Sequence, residues 1–326
     1  MRTRRRLSSL LAAVLFGSAM VAVGCSTSTG TVDGPTRTVH TEQGEVVVPQ
    51  DPQRVVVLNY PLAGYLYDMN VPVAATITEN ADKEGKFSEF WKDQATEDDT
   101  QLLPWSADGF DYEAIIDAEP DLIIGGGYGL PGALATQGYD RLSDIAPTVL
   151  VDNSLASWQE QFRFLAEDVF AKKDSYDDSV AAYDKRVAEV KQAITPPPNP
   201  VAHLTITADN TPYLLFEDMG LPQTLAEVGL TPAPLVAEHG LPPYKPGGDM
   251  AELSTEQVGQ LLTVPTVFIT GFSGDTTDVA TLSQQPVYAE LPSFAQDHAY
   301  DLPYWTVRGG YDEAMALLDI VENQFS

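Results

Sequence analysis

Tyr176-Asp-Asp-Ser-Val180-Ala-Ala-Tyr183-Asp-Lys-Arg-Val187-Ala-Glu-Val190-Lys-Gln-Ala-Ile194 runs without a helix breaker and stops at Thr195-Pro196-Pro197-Pro198-Asn199-Pro200. Its apolar positions Val180, Tyr183, Val187, Val190 and Ile194 recur every three or four residues, one face of a helix. Asp174 and Ser175, just upstream, offer N-cap side chains. At about 1.5 Å per residue the helix would be about 30 Å long, and the prolines end it abruptly. One long helix in mid-chain, with the lobe boundary at the proline cluster, predicts two lobes joined by a rigid bridge.

Each side of the helix alternates strands with helices. Arg54-Val-Val-Val-Leu58 is a continuous apolar run, as a buried parallel strand requires. A helix is expected near Leu62 to Met69 and a strand at Val71-Pro-Val-Ala-Ala-Thr-Ile77. Residues 80 to 101 read as an acidic loop carrying Phe87, Phe90 and Trp91. Helical spacing at Tyr112 to Ala118 leads through Pro120-Asp121 to the strand Leu122-Ile-Ile124 and then to Gly125-Gly-Gly-Tyr128-Gly129. Beyond the prolines, strands are expected at Ala202 to Thr207, Tyr213 to Phe216, Thr266 to Thr270 and Ala299 to Leu302. Helices are expected at Leu221 to Val228, Glu256 to Leu262 and Asp312 to Asn323. The fold class is therefore α/β: two lobes with mainly parallel sheets joined by one long bridging helix. The expected organisation is a signal peptide over 1–24, a flexible tether over 25–39 and an N-terminal lobe over 40–156. A helical segment including the bridge follows over 157–195, then a C-terminal lobe over 196–326.

Arg2, Arg4, Arg5 and Arg6 precede an apolar run, Leu7 to Val23, and then Val21-Ala-Val-Gly24-Cys25. Cys25 is the only cysteine of 326 residues, so no disulfide within the chain and no Cys-rich metal site is expected. The stretch resembles a bacterial lipobox, which implies lipid attachment at Cys25 and anchoring on the outer face of the cell membrane. Thr3 to Leu7 also fits a twin-arginine signal loosely, leaving the export route open. Loss of four of the 18 cationic side chains leaves 14 against 47 acidic ones, a net charge of −33. Such a chain is repelled by phosphate backbones, so no nucleic-acid partner is expected. Four scattered histidines, His40, His203, His239 and His298, offer little for a metal cage. No resident metal or cofactor is expected.

Five phrases in this order carry a family resemblance: Gly44-Glu-Val-Val-Val-Pro49 with Pro52-Gln-Arg54; Tyr112 to Pro120-Asp121-Leu-Ile-Ile; Leu142-Ser-Asp-Ile-Ala146-Pro147-Thr148-Val; Leu253-Ser254-Thr-Glu256-Gln-Val; and Leu291-Pro292 to Trp305. They resemble the siderophore and vitamin B12 class of ABC-transporter substrate-binding proteins over nearly all of residues 40 to 326. The resemblance implies a ligand cleft between the lobes. It also implies a non-enzymatic, monomeric role: capturing a ferric siderophore and delivering it to an ABC permease and its ATPase.

Contacts in such a protein lie on loops at strand ends. Some hydroxamate binders of the family carry a Gly-Tyr-Gly like that around Tyr128, with the tyrosine on the chelate. The loop Pro303-Tyr-Trp305-Thr-Val-Arg308 matches one that faces the cleft, with a frequent aromatic and arginine. A guanidinium there donates paired hydrogen bonds to hydroxamate or carboxylate oxygens; otherwise Arg308 pairs with Asp312 or Glu313. Tyr244 and Lys245 stand where relatives place an aromatic contact. Trp105 replaces an arginine of some hydroxamate binders, and Tyr60 is a further candidate. Asp140 and Glu256 match the carboxylates, one per lobe, that meet the permease. Iron(III) would arrive only as cargo in its siderophore. With so few cations near the candidate cleft, a hydroxamate chelate fits better than a polyanionic catecholate; haem or a corrinoid stays open.

Two other chemistries have nominal motifs. Gly127-Tyr-Gly-Leu-Pro-Gly132, with Asp152 at a later strand end, has dinucleotide-fingerprint spacing. Pro131 and an expected irregular loop to Tyr139 argue against it. Gly271-Phe-Ser273-Gly-Asp275 resembles a nucleophile elbow without its last glycine, leaving an exported hydrolase as the alternative of another class. An adhesive or scaffold lipoprotein would lack a deep cleft.

Overall fold

The structure, a computed structural model, describes residues 34–326 except 82, 246, 247, 273 and 275. The expected signal peptide and Cys25 lie outside the described residues. The end of the expected tether is corrected: Thr36–Thr41 (β1) is a strand, paired antiparallel with Gly44–Pro49 (β2). Val39, Val46 and Val48 are buried in this hairpin, which ties residues 36–39 into the folded body.

The first lobe is built on Val55–Val57 (β3), Val73–Ile77 (β4), Gln101–Leu103 (β5), Leu122–Gly126 (β8) and Thr148–Val151 (β9). Their order is β5-β4-β3-β8-β9, all parallel. A small hairpin, Trp105–Ser106 (β6) and Gly109–Phe110 (β7), precedes β8. Every residue of β3, β8 and β9 is buried, which is why these strands read as unbroken apolar runs. The expected loop over 80–101 is corrected too. It contains a helix, Lys92–Glu97, and Trp91 is buried, stacked on Tyr67 at 5.2 Å.

The second lobe holds Val201–Ile206 (β10), Pro212–Leu215 (β11), Met250–Glu252 (β12), Thr266–Gly271 (β13) and Ala299–Asp301 (β14), in the order β12-β11-β10-β13-β14. The pairs β10–β13 and β13–β14 are parallel, whereas β10–β11 and β11–β12 are antiparallel. The parallel rule weakens here because β10 turns directly into β11 around Asn210 (φ +64°), and a turn that short permits only antiparallel pairing.

Between the lobes, Ser157 and Glu160 form a capping box that starts the helix Trp158–Arg163, which widens into a π-turn over Phe164–Val169. The path breaks at Ala171 (φ +51°), and the bridging helix runs from Lys173 to Ala193, 21 residues. The expected caps are therefore not used: Asp174 lies inside the first turn, where its charge suits the helix N-terminus. Tyr183, Val187, Val190 and Ile194 are buried as the apolar stripe requires. The C-terminal helix, Tyr311–Phe325, packs along the bridge. Arg186 Nη2 lies 2.6 Å from both Asp319 and Glu322.

Candidate ligand-binding cleft

In parallel α/β sheets the crevice for ligands opens at the carboxyl ends of strands, where the strand order reverses. In the first lobe that point lies between β3 and β8, whose chains continue into Asn59 and Gly127-Tyr128. Asn59 Nδ2 donates to Gly126 O at 2.7 Å and to Tyr128 O at 3.0 Å, joining the two strand ends. The glycines serve close packing inside the protein. A Cβ on Gly126 would stand 2.2 Å from Val151 O, and one on Gly132 2.1 Å from Gly127 O.

A cavity of about 340 Å³ lies between the lobes, within the usual range for ligand sites. The first lobe lines it with Asn59, Tyr60, Glu79, Trp105 and Tyr128; the second with Tyr244, Lys245, Asp249, Phe272 and Arg308. Trp158 and Gln161 come from the connecting segment. Six of the seven candidates thus share one wall-to-wall cleft. Trp305 does not line it: it packs edge-on to Phe90 of the other lobe, ring centroids 5.0 Å apart, in a side pocket beside Tyr60 and Arg308.

Trp105 presents its ring and donates Nε1–H to Thr78 O at 2.7 Å. Tyr60 donates its hydroxyl to Lys86 O at 2.8 Å, and Tyr128 donates its own to Leu155 O. Burial raises the pKa of both phenols well above the ordinary value. Burial, with Asp249 and Tyr213 nearby, pushes the Tyr244 phenol up to about 12. The aromatic wall is therefore uncharged at neutral pH. Burial also raises the pKa of the Asp249 carboxyl.

Arg308 lines the cleft from the second lobe and is already paired there. Its Nε donates to Glu79 Oε1 at 2.7 Å, across the cleft, and Nη2 donates to Phe272 O at 3.0 Å. Neither Asp312 nor Glu313 is the partner in this ion pair. Glu79, Asn59, Asp249, Phe272, Trp158 and Gln161 were not among the sequence candidates. Asn59, Glu79 and Phe272 all follow closely on parallel strands, a positional signal that could have found them.

Asp140 and Glu256 are exposed, each in the first turn of a helix: Tyr139–Ser143 in the first lobe and Thr255–Leu261 in the second. The dinucleotide reading needs one correction. A helix, Gly129–Gln137, begins directly after Tyr128 in place of the irregular loop. Pro131 sits in its first turn, where a missing N–H is tolerated but cannot serve a phosphate. Ser273 lies outside the described residues. Among the described residues no group of three or more His, Cys, Asp and Glu side chains is arranged to hold a metal ion, and no helix is long and apolar enough to cross a membrane.

The sequence profile of the family described as "Periplasmic binding protein" matches residues 55–304. The chain is 31% identical to the ferric enterobactin-binding periplasmic protein FepB of Escherichia coli O6:H1 over 298 residues, 89% of this chain and 91% of that protein. It is 30% identical to the iron(3+)-hydroxamate-binding protein FhuD of Bacillus subtilis over 197 residues, 58% of this chain and 56% of the relative. The crystal structure of Staphylococcus aureus SirA complexed with staphyloferrin B superposes with a TM-score of 0.70 at 18% identity, covering 89% of this chain and 99% of that one. The helix-bridged lobes, the cleft between them and these matches agree: the chain belongs to the periplasmic binding protein family, as a non-enzymatic ABC-transporter substrate-binding protein of the class its sequence resembles.

Proposed function

We propose that the protein captures a ferric siderophore, of hydroxamate type, outside the cytoplasm and delivers it to an ABC permease. The cleft lining carries the reading. It brings Tyr60, Trp105, Tyr128, Trp158, Tyr244 and Phe272 around one space. The described lining residues include only four charged side chains, Glu79, Lys245, Asp249 and Arg308, two of which neutralise each other at 2.7 Å. Flat, uncharged faces suit a bulky chelate of low net charge. A polyanionic chelate would need several unpaired cations. The names of FepB and FhuD support ferric siderophores as the ligand class. Cys25 would carry the lipid anchor, and Asp140 and Glu256 would meet the permease, one from each lobe.

Tryptophan fluorescence tests the reading, because Trp105 and Trp158 line the cleft. The protein is titrated with a trihydroxamate siderophore, iron-loaded and iron-free. Saturable quenching at sub-micromolar concentration by the loaded form alone is the expected result. Equal quenching by both forms, or none, would overturn the assignment, and haem and corrinoids would be titrated next.

A further inference from the structure

Glu79 and Arg308 come from opposite lobes. Glu79 follows β4; Arg308 closes the 3₁₀ turn Tyr304–Arg308. Their side chains are largely shielded, 11% and 18% exposed, and meet at 2.7 Å on the cleft wall. Arg308 is the one arginine among the described lining residues, and the pair cancels its charge where a ligand would meet it. The pair is not alone in spanning the lobes: Phe90 meets Trp305 at 5.0 Å, and Tyr65 donates to Gly309 O at 3.4 Å. Contact between the lobes therefore has other supports beside this ion pair.

We propose that Glu79 is a specificity-determining residue: by pairing with Arg308 it makes the cleft discriminate against polyanionic chelates and admit those of low charge. The inference rests on the ferric-siderophore reading and names which residue sets the charge class. Iron(III) held by three hydroxamates is neutral, whereas iron(III) held by three catecholates is triply negative. A trianion entering this cleft meets a carboxylate at close range, and the guanidinium that would attract it is already compensated. Like charges a few ångströms apart at a partly shielded surface change an equilibrium by well over tenfold.

The test compares the wild type, Glu79→Gln and the double variant Glu79→Gln/Arg308→Gln. Each is titrated with a neutral ferric trihydroxamate and a ferric tris-catecholate, followed by tryptophan quenching. Glutamine keeps an acceptor for Arg308 Nε while removing the charge. The wild type is expected to prefer the neutral complex. Glu79→Gln should shift the ratio of trianion affinity to neutral-complex affinity by about tenfold or more toward the trianion. The double variant should lose that shift. A Glu79→Gln variant that binds the neutral complex normally but gains nothing for the trianion overturns the inference and leaves siderophore capture intact. So does equal weakening toward both complexes, the mark of a mere lobe clamp. A wild type that already prefers the trianion also overturns it. If no variant binds either complex, the proposed function and the inference fail together.

Discussion

Gly126 shows at the level of one residue what the glycine-rich loop is for. Its φ is +81°, and an added Cβ would stand 2.2 Å from Val151 O and 2.7 Å from Val151 N. Both strain and collision act on a substitution there. Gly126→Ala is expected to destabilise the protein by about 3 kcal/mol or more, read from the urea midpoint at constant slope. Gly240 is the control: it has φ +58°, and an added Cβ would meet no atom within 4 Å, so Gly240→Ala should cost only about 1–2 kcal/mol. Comparable losses at both sites would refute the packing account. The sequence made the loop conspicuous but not its purpose. Glycines that admit a ligand and glycines that admit a neighbouring strand are written alike. Tyr128 and Tyr60 were legible as candidates because they follow apolar strands. Glu79 also follows a strand, but its pairing with Arg308, 229 residues further on, is visible only in the folded chain.

At the level of elements, the bridging helix was the most legible feature, and its start the least. The stripe Tyr183, Val187, Val190, Ile194 follows from helical periodicity alone. Where the helix begins depends on Ala171 turning the chain at φ +51° just after the π-turn, which no cap residue announces. Tyr183 joins the bridge to the connecting segment: it is fully buried and meets Trp158 edge-on at 4.9 Å. Tyr183→Ala should therefore cost about 3–5 kcal/mol and shift the emission of Trp158. Arg186→Ala on the same helix removes contacts to Asp319 and Glu322, whose side chains are 65% and 32% exposed. Its cost should stay near 1 kcal/mol and shrink as salt is raised. A Tyr183→Ala variant no less stable than Arg186→Ala would mean that the stripe does not hold the bridge.

For the molecule as a whole, the two-lobed plan was readable because its strands and bridge are set by local pattern. The antiparallel pairing of β12 with β11, and the carboxylates brought together between the lobes, were not, because both depend on distant segments meeting. A continuous helix between the lobes should limit their motion; X-ray scattering should show a radius of gyration unchanged within about 1 Å on ligand addition, and a drop of several ångströms would contradict this. The carboxylates lead to a pH dependence. Asp68 ends the helix Leu62–Asp68 of the first lobe; Asp312 and Glu313 open the C-terminal helix. Burial, with Asp312 and Glu313 close by, pushes Asp68 up to about 8, and burial, with the Asp312 and Glu79 charges, pushes Glu313 up to about 7. In the unfolded chain both groups titrate near the ordinary carboxylate value, about 4. Between that value and 7 to 8 the folded state holds more protons than the unfolded one, so stability must fall as pH rises through this window and level off above it. The high net negative charge acts in the same direction, so the wild-type slope alone does not identify the source. Asp68→Asn does: it removes the buried charge without changing the shape of the side chain. The variant should unfold close to wild type in urea at pH 4.5 and be clearly more stable than wild type at pH 8.5. An equal displacement at both pH values would show that Asp68 does not titrate between the lobes and would leave the general surface charge as the cause.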